Sequence, residues 1–538
     1  MDEQQSSGTQ GGHIERTLKT RHLTMIALGG SIGTGLFIAS GSAITTAGPG
    51  GALIAYAVMG VMVYFLMTSL AEMATYIPLT GSFAAYASKF VSPATGFALG
   101  RNYWFNAAIT VPVEITTVGL VMNFWLPHVP AWVFSGVAFI LIFIINYLSV
   151  RSYGETEFWL ALIKVVTVII FIIVGVLVIL GIMGGQGPTD LTNFTYKKAP
   201  FVNGVPGIIT VFLVAGFSFQ GTEMIGITAG ESENPEKAVP EAIKSTFWRI
   251  LLFYILTIFV IACILPYTDP HLLSSDVQDI VTSPFTLIFK RAGLAAAASV
   301  MNAVILVAVL SSANSWMYAS TRMLYSQARE GYAWKMFGYV NKHGIPIYGL
   351  LGTTVVGILV WATQFIGPNA YNYLISASGL CGFIAWLGIA ISHYCFRKAF
   401  LAQGHQLSEL KYHAKWFPFG PIFAFVLCIV VIVAQNLSAF AKLDWSNIAI
   451  TYMAVPIYIV LYLYYKLRYG SKMIKPTDAD LSRSTKGESY EPTEISKLRP
   501  KTKGRCIFNH PWFFLFKNDR GGVRIVLVSF ETERISEV

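Results

Sequence analysis

Three ionisable side chains stand alone inside long apolar stretches, and their types suit charge recognition and proton exchange. Lys164 lies in Leu162-Ile-Lys-Val-Val-Thr. Glu114 is the only Asp, Glu, Lys or Arg between Arg101 and Arg151, and Glu223 the only one between Lys198 and Glu231. A charge placed among apolar residues is costly and marks function by default. Glu114 suits a counter-ion for a lysine or arginine side chain; the alternative is a protonated carboxyl bonded to a neighbouring helix. Glu223 suits a cation, either an α-amine or a basic side chain; the alternative is a hydrogen bond to unwound backbone. Lys164 can exchange a proton, or it can simply snorkel to the membrane interface.

Two glycine-bearing runs offer backbone as a ligand. The first reads Gly29-Gly-Ser-Ile-Gly-Thr-Gly-Leu-Phe, the second Gly216-Phe-Ser-Phe-Gln-Gly-Thr-Glu. Glycine weakens a helix interior and lets backbone approach a ligand. Inside a bilayer, unwound backbone is tolerated only where protein or a wet cavity satisfies it. Amides freed around Ser31, Ile32, Gly33, Thr34 and Gly35 would face a carboxylate. Carbonyls freed at Phe217, Ser218 and Phe219 would accept an ammonium. The alternative is that the glycines only let helices pack closely. Asn302, Ser311 and Ser312 are polar groups that either face Lys164 and the cavity or bond between helices. Ser376 and Ser378 are placed to touch a substrate side chain, and Glu72 to join an inner gate. Glu231-Ser-Glu-Asn-Pro-Glu-Lys reads as a solvated connection.

The elements that must position these residues follow from composition. The 538 residues are 54% hydrophobic and only 12% charged, about half the charge of a soluble domain. No Asp, Glu, Lys or Arg occurs between Arg21 and Glu72, between Arg291 and Arg322, or between Pro346 and Phe396. Such stretches exclude a soluble enzyme and define an all-α polytopic membrane protein. Twelve apolar spans are expected at 23–45, 51–77, 97–126, 131–150, 158–184, 206–230, 246–266, 295–326, 347–366, 371–396, 418–436 and 447–467. Basic residues cluster in alternate connections, which places those connections and both termini in the cytoplasm. The net charge of +10 therefore needs no nucleic acid; membrane lipid is the surrounding partner. The chain divides into an N-terminal tail (1–21), a membrane domain (22–468) and a cytoplasmic C-terminal tail (469–538). The last is polar and mobile to about Arg505 and then turns apolar at Trp512-Phe-Phe-Leu-Phe and Val523-Arg-Ile-Val-Leu-Val. Sequons at Asn193 and Asn436 fall on the expected outer side. No paired acid and nucleophile, phosphate loop or metal-ligand spacing is present, so neither catalysis nor a metal is expected. Four of the five cysteines sit in apolar spans as small hydrophobes.

Two interrupted spans at corresponding positions, five apart, point to an inverted-repeat transporter with a midplane site. At these residues the chain resembles the amino acid permeases of the amino acid–polyamine–organocation superfamily, most closely the lysine and basic amino acid permeases. The matching stretches are Arg21-His-Leu-Thr-Met-Ile-Ala-Leu-Gly-Gly-Ser-Ile-Gly-Thr-Gly-Leu-Phe, Gly216-Phe-Ser-Phe-Gln-Gly-Thr-Glu, Asn302-Ala-Val-Ile-Leu, Ser378-Gly and Gly382-Phe-Ile-Ala-Trp-Leu-Gly-Ile-Ala-Ile-Ser-His-Tyr. The resemblance covers roughly residues 16–468. It implies a leucine-transporter-like fold of 12 transmembrane helices: a 5+5 inverted repeat with helices 1 and 6 broken, and two further helices. It also implies proton-coupled import at the plasma membrane, with Lys164 as the coupling residue and the proton, rather than a cofactor, as the coupling ion. A free basic amino acid, most naturally lysine, is the expected substrate; a broad or neutral permease and an amino acid sensor remain alternatives. Oligomeric state is left open.

Overall fold

The computed structural model describes residues 16–482, except 30, 31, 149, 186, 274–282, 342, 363–369, 437, 438 and 441, together with strands at 512–517 and 523–528. The chain forms two units, Met1–Pro492 and Thr493–Val538.

The first unit is a helical bundle. Its opening helix α1 (Thr20–Gly29) stops at the glycine run, and a single turn, α2 (Thr34–Phe37), leads into α3 (Ala39–Tyr76). Proline removes an amide donor and cannot sit in a helix interior without consequence. At Gly48-Pro49 the long α3 therefore breaks into two passages, with Gly48 at φ +78°. The amides of Gly50 and Gly51 donate to the Pro200 carbonyl at 3.0 and 3.2 Å, so the break costs no unsatisfied donors. After the short α4 (Ser82–Phe90), α5 runs over Pro93–Met122. Its start is set by Pro93 in the first turn and by Ser92, whose Oγ accepts from Thr95 N at 3.2 Å. This is the usual way to satisfy an orphan helix amide.

Next come α6 (Ala131–Leu148), α7 (Val150–Ile179), α8 (Gly204–Phe219) and α9 (Met224–Ala229). A continuous helical run follows through α10 (Pro235–Trp248), a π-helical stretch at Arg249–Leu256 and α11 (Thr257–Ile264). Two short helices, α12 (Pro270–Leu273) and α13 (Pro284–Arg291), precede α14 (Ala295–Arg329), α15 (Ile347–Trp361), α16 (Ala370–Ala402) and α17 (Phe419–Ala434). The last pair, α18 (Trp445–Tyr452) and α19 (Ala454–Tyr469), bends by 55°. Among the described residues, eight helices are long and apolar enough to cross a membrane, or nine if the bent pair is one span. Two shorter apolar helices and the break of α3 at Gly48 are consistent with the expected twelve passages.

Burial separates two kinds of helix. α5 lies along α14, and α3 along α8, where Tyr56, Tyr103, Phe37 and Trp386 are fully buried. α6 instead turns Val137, Ile140, Leu141 and Ile144 outward, each at least 49% exposed. An apolar face of that size is stable only against lipid.

The C-terminal tail starts differently from expectation. Residues 471–481 are tied to the bundle rather than mobile. Ile474 N donates to Val91 O at 2.9 Å, Ser471 Oγ accepts from Ala94 N at 3.1 Å, and Lys89 Nζ pairs with Asp480 at 2.7 Å. Ala479 and Leu481 are buried, which supplies the apolar reason for docking. In the second unit, β1 (Trp512–Lys517) pairs antiparallel with β2 (Val523–Val528), Trp512 opposite Val528 and Lys517 opposite Val523. Within the apolar ending the described residues thus form two paired strands.

Candidate functional site

The two interruptions meet. Ser31 lies outside the described residues, but Ile32 is fully buried and Gly33 has an extended backbone ahead of α2. A Cβ at Gly35 would sit 2.5 Å from Ser218 Cα, and one at Gly33 would sit 2.8 Å from Ser312 Oγ and 3.0 Å from Glu114 Oε1. Only glycine permits this crossing of the first span with α8, α5 and α14. Ser218 Oγ donates to Gly35 O at 2.8 Å and lies 3.0 Å from Tyr56 Oη. The Ser218 carbonyl accepts from Tyr254 Oη at 2.8 Å. Phe219 is fully buried and Phe217 half-buried. The helix stops at Gln220, with Gly221 at φ +92°, and restarts at Met224.

Beside that crossing is a cluster of two acids and a base. Glu114, 3% exposed, accepts on Oε1 from Ser312 Oγ at 2.9 Å and Thr34 Oγ1 at 3.3 Å. Its Oε2 has no hydrogen-bond partner among the described residues. Lys164 is fully buried and lies 3.9 Å from Glu157 Oε1, within electrostatic reach of Glu114 as well. A lysine so enclosed is not snorkelling. Ser311 Oγ donates to Glu157 Oε1 at 2.5 Å. The consecutive serines of α14 thus hold one carboxylate each.

Glu157 escaped the sequence reading because the fifth span was started at residue 158, leaving it just outside. The helix begins at Val150, and Glu157 is fully buried. Its spacing of seven from Lys164 places both on one face of α7, two turns apart. That heptad spacing was the available signal.

Glu223 has different surroundings. It accepts from Tyr103 Oη at 2.9 Å and Gly221 N at 3.1 Å on Oε1, and from Trp386 Nε1 at 3.1 Å and Thr222 Oγ1 at 3.4 Å on Oε2. These bonds tie the interrupted helix to α5 and α16. Ser378 Oγ donates to Asn106 Oδ1 at 2.9 Å and lies 2.8 Å from Thr110 Oγ1; it bonds α16 to α5. Ser376 is half-buried. Asn302 bonds between helices, its Oδ1 accepting from Thr286 Oγ1 of α13 at 3.2 Å.

At the end of the bundle carrying the basic loops, Glu72 accepts from Nε and Nη2 of Arg397 and from Ala414 N. Glu231 is not solvated. It is fully buried and accepts from Arg322 Nε at 2.9 Å. Arg249 of the π-helical stretch donates to the Ala27 carbonyl near the end of α1, a contact with no sequence signal. Asn193, in the first sequon, donates its side-chain amide to Cys263 O at 2.7 Å.

A bundle of long apolar helices in which two interrupted segments meet beside buried charge has the architecture expected of a membrane carrier. The chain matches the model of the family described as "Amino acid permease" over residues 22–475, and it belongs to that family. It is 52% identical to the lysine-specific permease LysP of Escherichia coli K12, over 89% of this chain and 98% of that protein. It is 54% identical to LysP of Lactococcus lactis MG1363, over 89% and 95%. The histidine permease HisP of the same Lactococcus lactis strain is also 54% identical, over 87% and 98%. These relatives are transporters, and this chain is an integral membrane protein of the same kind.

Proposed function

We propose that the chain imports free basic amino acids, with lysine as substrate, in symport with a proton across the plasma membrane, both termini lying in the cytoplasm. The observation that carries the substrate reading is the Glu114 carboxylate. It is buried against the Gly33–Thr34 break, yet one oxygen has no hydrogen-bond partner among the described residues. Leaving a buried carboxylate half-satisfied is costly unless a ligand completes it. A side-chain ammonium is the ligand whose charge fits. In this reading the amides of the first break hold the substrate carboxylate, Ser218 and its neighbours line the amine end, and Glu114 selects a cation. Ser376 remains a side-chain contact, while Glu223 and Ser378 brace the walls.

Proton coupling rests on Lys164, which has the burial and the two acid neighbours that a transferable proton needs. Lys164→Ala is expected to bind lysine still, and to lose accumulation driven by a pH gradient. Undiminished accumulation would remove Lys164 from the mechanism.

HisP matches as closely as LysP, so histidine is the second reading, and overall identity does not choose. Uptake of labelled lysine into proteoliposomes, with and without an inward proton gradient and against histidine and leucine, separates the readings. Gradient-dependent lysine accumulation with the others excluded supports the first. Histidine outcompeting lysine moves the substrate, and leucine uptake equal to lysine removes the selective role of Glu114. Lysine binding without accumulation favours a sensor.

A further inference from the structure

We propose that Glu157 is the proton acceptor for Lys164, so that the coupling site is a lysine–glutamate pair rather than a lone lysine; this rests on the coupling reading above. Both side chains have no exposed surface, and Lys164 Nζ stands 3.9 Å from Glu157 Oε1. That is an ion pair just beyond hydrogen-bond length. The second oxygen of Glu157 has no hydrogen-bond partner among the described residues, which leaves it a free position to take a proton. In the transfer the Nζ–H bond of Lys164 breaks and an O–H bond forms on Glu157. The ammonium and carboxylate become an amine and a carboxylic acid, and net charge is unchanged. In a low-dielectric interior the neutral and charged forms of such a pair are close enough in energy to exchange.

The surroundings give the transfer a direction and a trigger. On its own helix Glu157 faces Lys164 and Tyr153. From α14 it meets Ser311, Asn314 and Ser315; Tyr153 stacks on Tyr318 with ring centroids 4.0 Å apart, and Arg322 lies over the far ring. Arg322 is itself paired with Glu231. Glu114 of α5 acts on the pair from the other side of Lys164. α1 places Arg21 and His22 on Glu155 instead. Glu157 is two turns from Lys164 toward the end of α7 that carries Glu155 and Arg151, the end with the basic loops. Beyond it Tyr153 Oη lies 3.2 Å from Ser315 Oγ, extending the polar file toward Arg322 and Glu231. A substrate ammonium on Glu114 takes away one of the two carboxylates that hold the Lys164 charge. The proton then passes to Glu157 only when substrate is bound, which is what symport requires.

The test uses the full chain in proteoliposomes and reads two processes: lysine exchange at equal pH, which needs no net proton movement, and accumulation driven by an inward proton gradient. Glu157→Gln should keep exchange within about twofold and lose accumulation by at least about tenfold. Glu157→Asp should recover part of it. In a Lys164→Ala background Glu157→Gln should add little further loss, because the two act as one unit. Wild-type accumulation by Glu157→Gln overturns the proposal. So does equal loss of exchange and accumulation in Gln and Asp variants alike, which marks a structural role. A wild type indifferent to the gradient overturns the coupling reading as well, and is distinguished by occurring without any substitution. Should Glu157→Gln fail to fold, Ser311→Ala leaves the acid and removes its hydrogen bond. A shifted pH profile of accumulation in that variant supports the transfer, and an unshifted one overturns it.

Discussion

Glu223 and Glu114 look alike in the sequence and have opposite surroundings in the fold. Each is a lone acid in an apolar passage, and each ends up beside an interrupted helix. Glu223 accepts four hydrogen bonds spread over both oxygens, from Tyr103, Gly221, Thr222 and Trp386. Glu114 accepts from Ser312 and Thr34 on one oxygen and has no partner among the described residues on the other. A carboxylate saturated by the protein fixes geometry, because nothing is left to give a ligand. A carboxylate held on one edge is oriented and still has a lone-pair edge to offer. The number of donors, rather than the depth of the charge, separates brace from binding group.

The sharpest way to break this comparison is to remove the brace. Glu223→Ala leaves the Tyr103 hydroxyl, the Trp386 indole and the Gly221 amide without their acceptor in a dry interior. The cost should be about 3–5 kcal/mol, the range for breaking a buried charged network. A lowered melting temperature in detergent should accompany equal loss of transport for every substrate. A variant that melts like wild type and loses only lysine affinity would make Glu223 the binding group instead.

Glu114→Gln should act the other way, on selectivity and hardly on stability. Gln keeps the size and one acceptor for Ser312 and Thr34, but loses the charge. Lysine affinity should fall about 10- to 100-fold, or about 1.4–2.7 kcal/mol, while a neutral amino acid of similar length changes by less than about twofold. Binding isotherms for both ligands on the same preparation check this. Equal losses would put Glu114 with the braces.

How much of this could be read from residues alone depends on what sets each feature. The twelve passages and the two interruptions follow from local composition: charge-free runs, glycine in apolar context, and proline at Gly48-Pro49. The crossing of Gly33 and Gly35 with Ser312 and Ser218 does not, because it depends on which helices become neighbours over nearly 300 residues of sequence. The same holds for the satisfaction of Glu223, whose donors come from residues 103, 221, 222 and 386. Asn302 bonds between helices, the second of its two readings, but its partner Thr286 on α13 has no signal in the sequence. Glu157 was lost to a span edge placed one residue too late, since a charged residue reads as a boundary when its partner is unseen. The docking of residues 471–481 was hidden by a polar composition that suits a mobile tail.

Ser378 sharpens the comparison at a lower energy, because it braces without carrying charge. Ser378→Ala removes the donor to Asn106 and the contact with Thr110, at about 1–2 kcal/mol for a buried hydrogen-bonded hydroxyl. The expected signature is a modest drop in melting temperature with the lysine-to-leucine ratio unchanged. A changed ratio would place Ser378 against the substrate side chain, as its position first suggested.

The smallest effect concerns a half-buried acid beyond the membrane passages. Glu330 follows α14 and accepts from Ser326 Oγ and Ser88 Oγ, both at 3.1 Å. Burial pushes its carboxyl up to about 7, while those hydrogen bonds and nearby Lys89 oppose the rise without cancelling it. The sign follows from linkage: the folded chain binds this proton more tightly than the unfolded chain does. The resulting stability is fully present below the ordinary carboxylate range and is lost as pH rises through about 7. Lys89 cannot give Glu330 its full charge, because it is engaged with Asp480 at 2.7 Å. The packing of α4 on the end of α14 should therefore loosen by about 1 kcal/mol between about pH 6 and about pH 7.5. Amide exchange of residues 82–90 reads this directly. Exchange should quicken with pH beyond its intrinsic rate in the wild type and follow the intrinsic rate in Glu330→Gln. An identical excess in both would assign the loosening to another group.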